Sequence, residues 1–425
     1  MRGTYSRNRT LCPFQAGRAM PTPAVLSVIA IGVLVFGCKP SSTQVPPIRP
    51  GIEVLLADSA HLIADRRVGL LTNQTGVDSR GIGDTELLLQ AGVELTALFS
   101  PEHGFRGLLD QPNVDHGVDS STGLPIFSLY GEIRAPTVEM FDLIDVMLVD
   151  LQDIGARTYT YVSAALLTME AAKDADVPVV VLDRPNPIGG ELVQGPMMDL
   201  DLSSDVGMLP IPLRHGLTIG EIALLGNEVL GFGAQLTVIP AAGWRRSLWF
   251  DDTRLPWVRP SLNMPNLESA SHYPGIVLFE GTNLSVGRGT TIAFQVVGAP
   301  WLEPQPILTR LAGFPGVALA DTIITPRSPS DGKYADLTLP AVRLTVVDRG
   351  VYDPIRFAVL LLAAIKEQHA DSFAIRSNAY FDRRAGAAEL RQWLEAGGSS
   401  EDIFRDWQAG HSRYLHVREP YLLYH

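Results

Sequence analysis

The sequence predicts an α/β fold, with a Rossmann-like parallel sheet followed by a smaller α+β region. Three observations carry that expectation. Residues 68–72, 95–99, 146–151 and 177–182 are short, continuous apolar runs, the pattern of strands covered on both faces. Segments with helical spacing at 84–91, 161–175 and 218–230 alternate with them, and that order builds parallel βαβ units. Beyond residue 289 the pattern changes to strand-like segments at 292–297 and 341–347 and helices at 354–368 and 387–396. With 425 residues, 46% of them hydrophobic, the chain can bury the cores of two domains. These are expected at 51–262 and 263–425.

Taken in order, the chain opens on a leader. Arg2, Arg7, Arg9 and Arg18 precede the apolar residues 24–36, a run too short for an ordinary membrane span and suited to a signal-peptide core. Residues 1–38 are therefore expected to direct export. The run ends Leu34, Val35, Phe36, Gly37, Cys38, which resembles a bacterial lipoprotein signal and makes Cys38 the expected lipidation site. Residues 39–50, with their Ser, Thr and Pro, read as a tether. Cys12 and Cys38 are the two cysteines of the chain, so the exported domain offers neither disulfide nor thiol nucleophile.

Right-handed crossovers put the carboxyl end of every parallel strand on one rim. Polar residues follow each run there. Asn73 and Gln74 follow the first, and Glu102, His103 and Arg106, on a Gly- and Pro-punctuated loop, follow the second. Asp150, Gln152, Asp153, Arg157 and Tyr159 follow the third, and Asp183, Arg184 and Asn186 the fourth. All four clusters are expected to converge on one cleft. Asn73 and Asn186 suit turn chemistry equally well, whereas a turn has no need of a Glu-His pair. Residues 255–289 are rich in Pro, Asn and Gly and carry Glu280, Asn283 and Arg288, where glycine either lets backbone approach a ligand or turns the chain. The aromatic tail of Trp407, Tyr414, Tyr421 and Tyr424 reads as core and interface.

Several chemistries are disfavoured. A formal charge of -12 is the opposite of a nucleic-acid footprint. No Gly-x-Gly-x-x-Gly or Walker sequence follows the first strand, so no dinucleotide is indicated. His103, His116, His215, His272 and Asp150 lack the close spacing of a metal site, and no metal or other cofactor is expected. No Gly-x-Ser-x-Gly elbow occurs. Carboxylate acid/base chemistry is better supplied, by Glu102 and Glu280 on separate loops with Asp150, Asp153 and Asp183 nearby. Glycoside cleavage needs such an acid, plus a group that activates water, attacks the anomeric carbon or steadies positive charge.

Residues 69–76, 98–107, 150–161, 182–187 and 279–289 together resemble the exo-acting β-N-acetylmuramidases, a bacterial family long catalogued as a domain of unknown function. The similarity runs from about Gly51 to the C-terminus. It implies release of N-acetylmuramic acid from non-reducing ends of peptidoglycan fragments, by a cleft between a Rossmann-like domain and a smaller C-terminal one. Glu102, in the matching Pro-Glu-His-Gly motif, is the implied general acid, with His103 orienting it or binding substrate. Glu280 is the implied second carboxylate; its other role is to bond backbone amides of its own loop. Arg106, Arg157 or Arg288 is expected to pair with the lactyl carboxylate of muramic acid, because a guanidinium fork matches a carboxylate. Asp150 or Asp153 would orient the substrate's N-acetyl group if that group is the nucleophile. Asn73, Gln152, Tyr159, Asp183, Arg184 and Asn283 complete the expected substrate contacts. The implied partners are muramyl saccharides and, through the lipid alone, a membrane; the oligomeric state is not legible. The competing reading is a lipid-tethered protein that binds muramyl ends without cleaving them, in which Glu102 would be a recognition residue; a Glu102 that matters for turnover but not for affinity discriminates against it.

Overall fold

The computed structural model describes residues 47–111 and 113–425. The signal segment, Cys38 and most of the tether lie outside the described residues. The end of the expected tether is part of the fold: Arg49 exchanges backbone hydrogen bonds with Ala242 at 3.0 and 2.9 Å, and Ile48 is buried with Trp244 and Tyr424.

Among the described residues, twelve strands form three sheets: β1 Val68–Thr72, β2 Leu95–Ser100, β3 Gly117–Val118, β4 Pro125–Ser128, β5 Val146–Asp150, β6 Val179–Leu182, β7 Gln194–Met197, β8 Pro212–Arg214, β9 Leu236–Ile239, β10 Val296–Gly298, β11 Val317–Ile324 and β12 Leu339–Val346. The large sheet has the order β3-β4-β2-β1-β5-β6-β9, parallel except for the β3-β4 edge. β1 is central. The chain runs outward through β2 to β4, then crosses to β5 on the other side of β1, so the order reverses between β1 and β5. Thr72 lies opposite Asp150 at that point.

Both faces of this sheet are covered, as the continuous apolar runs require. Successive side chains alternate: Leu70, Leu98, Leu148 and Val180 enter a core with Ile52 and Leu55, while Leu71, Phe99, Val149 and Val181 enter the opposite one. The second core continues into the C-terminal part, where it includes Tyr273, Val342, Phe357 and Leu361. There β10-β12-β11 form an antiparallel sheet. The helix Leu267–Ile276 packs on the helix Pro354–Gln368, so closely that a Cβ on Gly275 would lie 1.9 Å from the Pro354 carbonyl oxygen.

The expected helices stand at Asp84–Gln90, Tyr161–Asp174, Ile219–Val229, Pro354–Gln368 and Glu389–Ala396. The expected strand at 292–297 is corrected to Val296–Gly298. Phe294 sits in the left-handed region at φ 63 and donates its N–H to Val286, so the chain turns before it pairs. Strands β4, β9 and β11 and the helices Asn378–Ala385 and Ser400–Arg418 had no expected counterpart. β11 exposes much of its length and both helices are polar, so neither carries a strong apolar period.

Candidate active site

Ser100 ends β2, and the chain then reverses through two consecutive left-handed residues, His103 at φ 73 and Gly104 at φ 74. The first is a non-glycine residue in a region that costs roughly 1–3 kcal/mol. Its side chain holds the turn: the His103 Nδ1 lies 2.8 Å from the Leu109 carbonyl oxygen. A carbonyl only accepts, so that contact places a proton on Nδ1. Glu102, one residue earlier, accepts a hydrogen bond from the Thr160 hydroxyl at 2.5 Å, at the start of the helix Tyr161–Asp174. The phenol of Tyr130 is pushed up by burial, then by the charge of Glu102 and a hydrogen bond to it.

These residues face a cleft of about 490 Å³. Its floor belongs to the sheet half: Glu102, His103 and Asp110 from the loop after β2, Thr158 to Thr160 after β5, and Asp205. The opposite wall belongs to the C-terminal half. Glu280, Arg288, Tyr380, Arg383 and Arg384 line it, supplied by the turn Val277–Gly281, the loop after it and the helix Asn378–Ala385. Between the two lies an aromatic surface. Tyr159 meets Tyr273 edge-on at 5.8 Å, and Tyr273 meets Phe294 at 4.7 Å between ring centroids.

Five carboxylates line the cleft: Glu102, Asp110, Asp205, Glu280 and Asp331. Four stand within ion-pair reach of a cationic side chain. Asp110 is 3.9 Å from both Arg288 and the His103 ring, Asp205 pairs with Arg134, Asp331 is 3.8 Å from Lys333, and Glu280 pairs with Arg288 and Arg384. Glu102 has no such partner among the described residues. Burial pushes the Glu280 carboxyl up, but the guanidiniums of Arg288 and Arg384 outweigh it and hold the group down to about 2. Burial lowers the Lys333 ammonium to about 8; it donates to the carbonyls of Phe279, Glu280 and Leu284 and fixes the turn that carries Glu280.

Of the expected site residues, Glu102, His103, Tyr159, Glu280 and Arg288 meet in this cleft. The others do not line it. Asn73 and Arg106 line a separate groove of about 560 Å³ on the other side of the loop after β2. Asn73 caps its own turn through Thr75, and Arg106 pairs with Asp119 at 2.6 Å. Asp150 and Arg184 are buried against each other beside Asp84. Burial drives the Asp84 carboxyl well above the usual carboxylate range, the neighbouring Asp150 charge adds to it, and the Arg184 guanidinium, which is bonded to Asp150, pulls the other way. Gln152 donates to the carbonyls of Asp153 and Pro185, and Asp153 accepts from the Gly155 N–H and faces His215 at 3.4 Å. Asp183 accepts from Thr218, Gly220 and Tyr424. Asn283 bonds Ser372 and Ala374.

Arg157 is buried, and its guanidinium donates to the carbonyls of Arg384 and Ala385 at 3.3 and 3.0 Å. It has no carboxylate partner among the described residues, and burial lowers it to about 9. The expected convergence of all four strand-end clusters is therefore corrected. The strand-order crevice between β1 and β5 is filled by Asp84, Asp150 and Arg184 and walled by Phe250 and Trp257, leaving about 10 Å³. Gly76 lines the separate groove, and a Cβ there would stand 2.1 Å from the Thr72 hydroxyl and 2.3 Å from Asp84.

Residues that sequence reasoning missed are Asp110, Tyr130, Asp205, Tyr273, Arg383 and Arg384. Arg383 and Arg384 are an adjacent pair in a polar segment, and nothing local ties that pair to a motif nearly three hundred residues earlier.

Two family models match the chain, described as the N-terminal part of the exo-β-N-acetylmuramidase NamZ over residues 68–268 and its C-terminal part over 271–424. The peptidoglycan β-N-acetylmuramidase NamZ of Bacillus subtilis (strain 168) is 38% identical over 390 residues, 91% of this chain and 94% of that protein. Crystal structures of two DUF1343 family proteins from Bacteroides fragilis NCTC 9343 are 33% and 32% identical, with TM-scores of 0.83 and 0.72; each match covers 89% of this chain and 99% of the other.

Proposed function

This chain belongs to the exo-β-N-acetylmuramidase family, and from that premise we propose that Glu102 is the general acid of its glycoside cleavage. The enzyme is a glycosidase acting on peptidoglycan, and it releases N-acetylmuramic acid from non-reducing ends. The observation that carries the assignment is the pattern of ion pairs. A general acid must hold a proton before it gives it up, and a neighbouring cation favours the charged carboxylate instead. Glu102 is the cleft carboxylate bonded to a hydroxyl rather than a cation. In the reaction its carboxyl proton passes to the glycosidic oxygen, the bond from that oxygen to the anomeric carbon breaks with the electron pair on the oxygen, and water supplies the hydroxyl that ends on the muramic acid while its remaining proton restores the Glu102 carboxyl, directly or through solvent. Thr160 orients the carboxyl, and the Tyr159, Tyr273 and Phe294 surface supports the apolar face of the sugar ring.

The test is release of free N-acetylmuramic acid from a muramyl-glucosamine disaccharide with muramic acid at the non-reducing end. Glu102→Gln is expected to lower kcat at least ~100-fold while keeping the parent's melting temperature and affinity. Unchanged turnover would remove Glu102 from the acid role. A parent that binds the disaccharide without cleaving it would make the chain a wall-binding protein.

Export and lipid anchoring belong to the same proposal. The basic leader, the apolar core at 24–36 and Cys38 support a diacylglycerol thioether at Cys38, which with an amide-linked chain supplies the two anchors that stable attachment needs. Fatty-acid labelling that survives in Cys38→Ala would refute it. The sheet-bearing part, 51–262, and the part from 263 to 425 are proposed as the two domains whose junction forms the cleft.

A further inference from the structure

The cleft is electrically lopsided. At the sheet end stand Glu102 and Asp205, the latter matched by Arg134. At the far wall Glu280 faces two guanidiniums, and Asp110, from the loop after β2, stands 3.9 Å from one of them, Arg288. Arg288 reaches its Oε1 through Nε and Nη2 at 2.7 and 2.6 Å, and Arg384 reaches its Oε2 through Nε at 3.1 Å. Arg383, exposed beside them on the same helix, has no ion pair among the described residues. Asp331 on the same wall stands 3.8 Å from Lys333, so the positive charge of the wall that no carboxylate there matches is that of Arg383.

The guanidiniums are also held in fixed planes. Arg384 lies over the Tyr380 ring at 3.4 Å from its centroid and bonds the Tyr380 hydroxyl, and Arg288 lies over Phe294 at 5.3 Å. Lys333 locks the turn beneath. Arg157 holds the carbonyls of Arg384 and Ala385 from the sheet side. A rigid fork loses little freedom on binding a planar anion, and the Arg384 Nη1 makes no hydrogen bond among the described residues while its Nε and Nη2 are held by Glu280 and Tyr380.

We propose that Arg384 and Arg288, spread on the two oxygens of Glu280 and joined by Arg383, form the subsite for the lactyl carboxylate of muramic acid, with Glu280 as its positioning residue. The inference rests on the glycosidase reading and deepens it. It narrows the three expected arginines to Arg288, because Arg106 faces the other groove and Arg157 is buried behind the wall, and it adds Arg384 and Arg383. It also reassigns Glu280: a carboxylate whose charge is already matched by two guanidiniums anchors them rather than attacking an anomeric carbon. Substrate is then laid across the cleft with its carboxylate at the basic wall and its glycosidic oxygen at Glu102.

The experiment compares two sugars that differ by the lactyl ether, N-acetylmuramic acid and N-acetylglucosamine, as ligands in titration calorimetry. In parallel, turnover is measured on the muramyl-glucosamine disaccharide and on its lactyl methyl ester. The parent is expected to bind the acid at least ~10-fold more tightly than N-acetylglucosamine, the scale of one charge-assisted bidentate contact. Arg384→Met is expected to erase that preference and to raise KM for the free acid up to that of the ester, with kcat and the ester's KM little changed. Arg384→Lys, which keeps the charge and loses the fork, is expected to fall between, and it serves if the Met variant unfolds. A preference that survives in both variants, or equal losses on acid and ester, would overturn the subsite. The binding arm decides this even if no N-acetylmuramic acid is released, an outcome that would instead sink the glycosidase reading.

Discussion

Glu280 shows how far a residue's surroundings reset its chemistry. As a lone loop carboxylate in a sequence it invites a catalytic role; between Arg288 and Arg384 it is an anion down to about pH 2. Its folded pKa lies below its ordinary 4.5, so the stability it contributes is complete above about pH 4.5 and disappears as pH falls through 2. The difference corresponds to about 3 kcal/mol. Urea unfolding across that range is expected to find Glu280→Gln less stable by this amount at pH 7, with a shallower decline below pH 4.5. A variant that keeps the parent's acid slope would show that the arginines do not depend on Glu280. Glu102 was legible from its place on a Gly- and Pro-punctuated loop at a strand end, although its neighbour His103 serves that turn through the Leu109 carbonyl. Arg384 was not, because its meaning comes from Glu280, over a hundred residues away in the chain and 3.1 Å away in space.

At the scale of elements, the strands of the large sheet were the most legible, since a strand covered on both faces must be apolar throughout. The helix Asn378–Ala385, which delivers three residues to the cleft, was not, because it has little apolar face and is placed by contacts from elsewhere. Arg157 supplies two of those contacts through the carbonyls at the helix end. Arg157→Met is expected to raise KM several-fold by loosening Arg384, with Glu102 chemistry and kcat largely kept; a fall in kcat alone would contradict it. The chain's end is likewise a structural part. Tyr424 donates to Asp183 at 2.6 Å and accepts from the Ala241 N–H at 2.8 Å. Burial raises Asp183 to about 7, while the bonds from Thr218 and Tyr424 pull the other way. Tyr424→Phe removes a donor that favours the charged form, so it is expected to destabilise by about 1–3 kcal/mol, more at pH 8 than at pH 5. Melting temperatures at the two pH values check the sign.

Over the whole molecule, the sheet has the strand order of a dinucleotide-binding fold but not its crevice. Asp84, Asp150 and Arg184 occupy the point where the order reverses, and Gly76 is kept small by Asp84 rather than by a phosphate. Millimolar NAD is accordingly expected to leave the melting temperature unchanged; a rise of several degrees would mean that the crevice opens. The cleft forms instead where the loop after β2 meets the C-terminal half. The sequence by itself determined the parallel sheet, the polar rim at its strand ends, the loop that carries Glu102 and the family, because these depend on local periodicity, turn chemistry and contiguous motifs. Only the tertiary structure decided which rim residues share a cleft and which neutralise one another in the interior. Burial and ion pairing are set by distance in space, and a carboxylate in a sequence does not disclose whether a guanidinium will stand beside it.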